Sequence, residues 1–431
     1  MGTLKKIQLR QLQIAAILIF SPVSFNIHAT NGYFENAYGA RSKGLAGADV
    51  AFSQDAIAAA LNPAGLASVG DRLDVEGEFF SPLREYSVNG ASLPPPNFSL
   101  TAGKYHSDKN YYVIPTLGWS HKLDEKQTIG IALYGNGGMN TDYAHVVNPN
   151  GSNGVFYSGR TGVDLGQGFL AATYARSFDN GRYSLGISPV LAIEYFEAQG
   201  FKSFGLQGLS SAPNQLTNNG REYSFGVGYK VGGQAEVVPG VRLGVSYKSR
   251  TYMSQLRDYA GLFTGQGSFD IPSSLDTGLS WAVNHSVTTA FDVQQIFYSE
   301  VNSVGNPLLP LFPGDLGSGN GSGFGWKDMT VYKFGAQWKQ NEQLTWRGGF
   351  SYGRQPIPSS QVLFNIVAPA VQEWHVDGGF SYKLPNQDEL SFAFMYSPQS
   401  SVSGANPLSP GQNISLAMTQ YSLQFGWSRR F

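Results

Sequence analysis

The chain has 431 residues, of which 53 are Gly, 23 Tyr, 28 Phe and 7 Trp, and none is Cys. Charged residues are 14%, against roughly 25% in an ordinary soluble domain, and 29 Lys plus Arg nearly balance 30 Asp plus Glu. A cysteine-free chain excludes disulfides, thiolate metal sites and Cys nucleophiles, and the even balance argues against a nucleic-acid partner, which would select a basic excess. The six His are scattered without a paired spacing, so neither metal nor other cofactor is expected.

Residues 1–29 read as a secretory signal peptide. Lys5, Lys6 and Arg10 precede a short apolar run, Ile14 to Phe20, which Ser21 and Pro22 break before Ala29 at the cleavage position. The competing reading is a buried N-terminal helix. No later stretch approaches the roughly 18–20 consecutive apolar residues of a helical membrane span. A membrane form must then be a closed barrel, because lipid offers no partner to a sheet edge.

Residues 30–71 do not alternate, and they are crowded with Gly and Ala: Gly39, Ala40, Gly44, Ala46, Gly47, Ala48, then Ala56 to Ala60. Gln54 to Leu61 can make two helical turns with Ser53 as N-cap, stopped by Asn62-Pro63. Small side chains suit this segment to fill a lumen as a hatch. A disordered tail, the competing reading, would carry more charge and fewer Ala and Leu.

From residue 72 onward period two recurs. Tyr332, Phe334, Ala336 and Trp338 alternate with Lys333, Gly335, Gln337 and Lys339, and Tyr421, Leu423, Phe425, Trp427 and Phe431 alternate with Ser422, Gln424, Gly426, Ser428 and Arg430. In a strand such sets point to opposite faces, one greasy and one small or polar. The pattern predicts strands at 72–80, 110–122, 128–137, 165–178, 183–198, 221–236, 241–250, 269–283, 286–299, 329–339, 344–354, 371–384, 389–398 and 414–431.

A soluble sandwich alternates too, and the connections discriminate. Short turns such as Asp124 to Gln127, Asp179 to Gly181 and Asn284-His285 take strict turns with long loops at about 81–109, 138–164, 199–220, 251–268, 300–328, 355–370 and 399–413. Both termini then fall on the short-turn side, the layout of a bacterial outer-membrane barrel. The fold class expected is all-β: a fourteen-stranded antiparallel transmembrane barrel over residues 72–431, with a hatch at 30–71 inside its lumen. Fourteen strands enclose more space than the roughly eight whose own side chains fill the interior.

Asn31-Gly-Tyr-Phe34, Gly39 to Ala48, Gln54-Asp-Ala56 and Asn62-Pro-Ala-Gly65, with Trp326-Lys-Asp328 and Gln355-Pro-Ile-Pro358 further on, resemble the FadL-like family of outer-membrane transporters of long-chain fatty acids and aromatic hydrocarbons. The resemblance covers essentially the whole mature chain. It implies capture of a hydrophobic ligand at outer loops, transfer to a pocket, and lateral release where a kinked third strand opens the wall. Carried over residue by residue, the hatch and gate are Asn62, Pro63 and Ala64, and the first groove comprises Phe201, Phe204, Leu206, Leu209, Leu262 and Phe263. The fifth long loop adds Leu308, Leu309, Leu311 and Phe312.

The residues themselves bear on that mechanism. Gly135, Gly137 and Gly138 interrupt the third strand and permit a bulge or inward kink; the plain alternative is that the strand ends there. A fatty acid needs a cation for its carboxylate, and Lys333 and Arg347 are lumen-facing by parity, as are Arg242 and Lys248, with Arg41 and Lys43 in the hatch. The stretch Gly317 to Gly323 offers no Lys to match the basic residue of some fatty-acid-transporting relatives.

The function expected is uptake of hydrophobic compounds, long-chain fatty acids first, in the outer membrane of a Gram-negative bacterium. The alternatives are an aromatic hydrocarbon transporter and a general porin. The expected partners are the hydrophobic small molecule, outer-membrane lipid, lipopolysaccharide, and the barrel assembly machinery through terminal Phe431. An enzyme is not expected: a hydrolase would need a Ser–His pair on adjacent strands, and the sequence shows no evident nucleophile for His375 or His121.

Overall fold

The structure, a computed structural model, describes residues 30–93, 97–312 and 314–431. The signal peptide expected over 1–29 lies outside the described residues. The wall consists of β1 (Arg72–Asn89), β2 (Tyr112–Lys122), β3 (Gln127–Tyr143), β4 (Thr161–Phe178), β5 (Tyr183–Gln199), β6 (Glu222–Val238) and β7 (Val241–Lys248). It continues with β8 (Ser274–Ala282), β9 (Val287–Ile296), β10 (Met329–Lys339), β11 (Leu344–Gly353), β12 (Trp374–Lys383), β13 (Glu389–Ala405) and β14 (Asn413–Arg430). Each strand pairs antiparallel with its neighbours in chain order. β1 pairs with β14 from Arg72↔Arg430 to Asn89↔Asn413, which closes a fourteen-stranded barrel.

Side chains alternate as the period-two reading requires. On β1, Val75, Phe79 and Leu83 are exposed on the outer wall, whereas Asp74, Glu76 and Glu78 are buried inside. Outward aromatic residues gather near both rims: Phe178, Trp281, Trp338 and Trp346 by the short turns, and Tyr223, Tyr332, Trp374 and Tyr421 near the long loops. Amphipathic rings favour the two membrane interfaces, so these rows mark the boundaries of the lipid-facing band.

Several elements differ from expectation. β1, β3 and β13 run on to Asn89, Tyr143 and Ala405, well past the expected ends at 80, 137 and 398. Beyond the lipid the outward face no longer has to be apolar, so alternation fades while the ladder continues. Two short strands, Gly103–His106 on β1 and Tyr252–Met253 on β6, lie where loops were expected. β8 begins at Ser274 rather than 269, because Pro272 cannot donate to a ladder.

Residues 30–71 lie inside the barrel, almost entirely buried. They form three short helical turns, Ala40–Lys43, Ala56–Ala60 and Pro63–Ser68. The expected turn at 54–61 is tighter and starts later: Asp55, not Ser53, caps it, accepting from Ala58 N at 3.0 Å. Glycines on the inner face of the wall leave room for this backbone. A Cβ at Gly186 would meet Pro63 C at 2.3 Å, one at Gly232 would meet Asn62 Oδ1 at 2.1 Å, and one at Gly244 would meet Val50 O at 2.5 Å.

Candidate functional site

Charge fixes the inner segment to the wall. Arg41 donates to Asp55 at 3.2 Å, to Asp74 at 3.3 Å and to Glu389 at 3.0 Å, and Arg72 pairs with Asp74 at 2.6 Å. Burial opposes the Arg41 charge, but Glu389, Asp55 and Asp74 outweigh it, so the pKa is raised. Lys43 pairs with Glu78 and lies 3.9 Å from Glu35. These contacts join residues 41–55 to β1 and β13, at the seam where the barrel closes. Asp49 accepts from Ser42 Oγ at 3.0 Å, and burial pushes its carboxyl up to about 7.

Asn62, Pro63 and Ala64 sit against β5 and β6. Asn62 Oδ1 accepts from Ala64 N at 3.0 Å and so caps the turn that Pro63 opens. Its amide donates to Val50 O at 2.9 Å and Gly233 O at 3.2 Å, tying two parts of the inner segment to the wall.

The third strand does not end at its glycines. Its register against β4 shifts between Gly135 and Gly137, and Gly137 holds φ +152°, which favours glycine. Phe34 bridges Gly137, Gly138 N donates to Tyr33 O at 3.0 Å, and Glu35 N donates to Asn136 O at 3.0 Å. The bulge lies just past the last residue of β3 that pairs with β2. Pairing between them stops at Leu117↔Leu133, although β2 reaches back to Tyr112 and β3 on to Tyr143. Within this interval Tyr112 Oη donates to Asn140 Oδ1 at 2.7 Å, and at its far end Asp108 N donates to Asp142 O at 2.8 Å. Beside it, Asp164 holds Lys109 at 2.6 Å and Arg221 at 2.7 Å. A narrow cleft lined by Pro82, Arg84, Met139, Asn140, Pro369 and Met418 lies just inside.

Above the inner segment the interior is aromatic. The Tyr33 ring lies 5.4 Å from Phe34, 5.2 Å from Tyr298 and 5.6 Å from Trp326, and Phe269 connects it to Phe263 and Phe196 at 4.7 Å per step beyond. Of the six groove candidates, Phe201, Phe204, Leu262 and Phe263 are buried, Leu209 is half-buried, and Leu206 is 77% exposed. Phe201 and Phe204 pack with Phe156 and Phe364. Of the fifth-loop residues Leu308 is buried and Phe312 exposed. Phe156, Phe196, Phe269 and Phe364 escaped the sequence reading, since each lies outside or at the end of a clear alternating run.

The proposed carboxylate partners face the inner segment. Lys333 Nζ donates to Asn36 O at 2.9 Å, and Arg347 donates to Gln54 Oε1 at 3.0 Å and Ser381 Oγ at 2.8 Å. Lys248 differs: it bonds to Asn136 Oδ1 at 3.1 Å, and its ammonium lies 3.8 Å from the Phe34 ring centre. His375 does have a hydroxyl partner on the adjacent strand, Ser351 Oγ at 3.1 Å from Nδ1, contrary to the sequence reading. Both are fully buried, and among the described residues Nε2 has no partner to orient the ring as a base.

The sequence model of a family described as "Outer membrane protein transport protein (OMPP1/FadL/TodX)" matches residues 26–426. Among solved structures, the toluene transporter TodX of Pseudomonas putida is 18% identical, with a TM-score of 0.67 over 92% of this chain and 99% of that one. The toluene transporter TbuX of Ralstonia pickettii is 17% identical, with a TM-score of 0.62 over 92% and 99%. A FadL homologue of Pseudomonas aeruginosa is 13% identical, with a TM-score of 0.65 over 92% and 98%. At such identities the likeness is one of fold. No curated protein sequence matches the chain.

Proposed function

We infer, starting from the fact that this chain belongs to the OMPP1/FadL/TodX family of outer-membrane transport proteins, that it takes up hydrophobic compounds by loop capture, hatch-gated transfer and lateral release. Membership makes it a transport channel of the Gram-negative outer membrane and not an enzyme. The observation that carries the route is the interval between β2 and β3 without ladder pairing, beside which the bulge of β3 is bonded to Tyr33 and Glu35.

In this reading residues 30–71 are the hatch. Leu206 and Leu209 offer apolar surface to an arriving ligand, and Phe201, Phe204, Leu262 and Phe263 separate to admit it. Asn62, Pro63 and Ala64 relay hatch movement to the wall, and Gly135, Gly137 and Gly138 form the exit. Energetics call for a moving part. Each methylene buried is worth about 0.8 kcal/mol, so a sixteen-carbon chain gains on the order of 12 kcal/mol, an upper bound. A rigid pocket that good would release nothing; a hatch that deforms it gives a release step, and discharge into lipid keeps the chain out of water.

Long-chain fatty acids are the first substrate class. A second reading, small aromatic hydrocarbons, draws on the ring-lined interior and on Lys333 and Arg347 being engaged by the hatch. Outer-membrane lipid and lipopolysaccharide surround the wall, and exposed Phe431 offers the barrel assembly machinery its signal. Uptake of radiolabelled oleate and toluene in a strain lacking its own transporter tests the whole. An Asn62→Ala, Pro63→Ala variant should insert normally and transport poorly. Unchanged uptake by the folded variant would remove the gate, and swelling of liposomes in small sugars would mark a porin instead.

A further inference from the structure

The outward side chains of β6 are large along most of its length: Tyr223, Phe225, Val227, Tyr229 and Val231 all stand exposed on the wall. Toward the short-turn end the series breaks, and the next two outward positions are Gly233 and Ala235. Register places Gly233 between Leu185 of β5 and Val245 of β7, and Ala235 between Tyr183 and Leu243. The lipid-facing surface therefore carries a groove, floored by the two small residues and walled by the four large ones. Backbone does not demand the glycine. Its φ lies outside the left-handed region, and a Cβ at Gly233 would meet Leu185 Cδ2 at 3.4 Å and Val245 Cγ1 at 3.9 Å, ordinary contact. Gly232, on the inner face, makes room for Asn62; no such neighbour accounts for Gly233.

The groove reaches the short-turn rim, which faces the periplasm, and there the wall turns basic. Arg176 pairs with Leu185 across β4 and β5, so its exposed side chain leaves the outer face one strand from the groove wall. Its guanidinium lies 5.4 Å from the ring centre of Phe178, and that of Arg182 lies 5.6 Å from the ring centre of Tyr183. Two acids are near: Asp179 meets Arg182 at 3.3 Å, and Asp124 on the neighbouring turn is stabilised as an anion by Arg176, after its own hydrogen bonds to Lys126 and Gln127. Arg176 makes no salt bridge among the described residues.

In lipid such a groove has no hydrophobic advantage over the bilayer itself. A hollow left unfilled forfeits dispersion contacts, and a chain that fills it stays longest when its head group is also held. Two guanidiniums at head-group depth are fork-shaped donors matched to a phosphate. We propose that this groove on the outer wall holds one acyl chain of an anionic phospholipid of the periplasmic leaflet, with Arg176 and Arg182 on its phosphate. The site lies outside the barrel, away from the interval between β2 and β3, and is independent of what the channel carries.

The test is native mass spectrometry of the full-length protein reconstituted with equal amounts of phosphatidylglycerol and phosphatidylethanolamine, then extracted in mild detergent. Wild-type protein should retain one phosphatidylglycerol in preference. Heat-modifiable migration confirms folding of each variant. Gly233→Leu, which fills the floor, should lower retention of both lipids, whereas Val227→Leu on the same face should not. Arg176→Gln with Arg182→Gln should cut the preference for phosphatidylglycerol about ten-fold, the loss of charge-assisted bonds. Equal retention of the two lipids by wild type overturns the proposal, as does undiminished retention by folded Gly233→Leu. A two-barrel mass that Gly233→Leu abolishes also overturns it, since a second copy then occupies the groove.

Discussion

Replacing Gly137 with Ala perturbs the bulge at one atom. The added Cβ would lie 1.6 Å from Tyr33 O, a backbone atom that can yield only if the whole Tyr33–Glu35 stretch moves. A side chain at φ +152° also strains the strand, by about 1–3 kcal/mol. Moving the stretch breaks the bonds from Gly138 N to Tyr33 O and from Glu35 N to Asn136 O, each worth about 0.5–1.5 kcal/mol. Together these come to about 2–6 kcal/mol, enough to free the arm while the continuous β1–β14 ladder holds the barrel closed. Amide hydrogen exchange read by mass spectrometry should then show peptides covering 30–38 losing protection by roughly thirty-fold or more, at about 1.36 kcal/mol per decade. Peptides from β14 should not change. Gly77→Ala is the control, since its Cβ meets nothing within 4 Å. Undiminished protection at 30–38, or equal loss in β14, would refute the idea that the bulge holds the hatch arm locally.

Other outcomes follow from the same contacts. Arg41→Met takes the shared cation from Asp55 and Glu389, while Asp74 keeps Arg72, at a cost of about 3–5 kcal/mol, so the hatch should detach and planar-bilayer recordings should show raised or flickering conductance. Asp49 releases its proton near 3.8 when unfolded but only at about 7 when buried, so the folded state binds the extra proton. The stability it contributes is present below about 3.8 and lost as pH rises through about 7; Asp49→Asn should flatten hatch protection across that window, as followed by hydrogen exchange. Leu206→Ser, at an exposed position, should change thermal stability by less than about 0.5 kcal/mol yet weaken ligand capture in an equilibrium binding assay.

The wall was legible because lipid imposes a rule on every second residue. Tyr332 to Trp338 and Tyr421 to Phe431 report which face each side chain takes without reference to any other part of the chain. The strand ends were less legible, since Asn89 and Ala405 lie above the lipid, where alternation is no longer enforced. The glycines of β3 could mean a kink or a terminus; the paired continuation to Tyr143 against β4, with its shift of register between Gly135 and Gly137, rules out a terminus. The Ser351–His375 contact needed the register of β11 against β12, which no local pattern reports.

By itself the sequence determined the strand count, the up-and-down topology, the side on which the termini lie, and the presence of a small-residue segment ahead of the wall. Only the tertiary structure decided what that segment touches: Arg41 with Glu389, Tyr33 with Gly138, Lys333 with Asn36. Period-two burial is a local property, fixed by the solvent each face meets. The contacts that hold the inner segment join residues up to 387 positions apart, and those pairs exist only once the cylinder has closed around it.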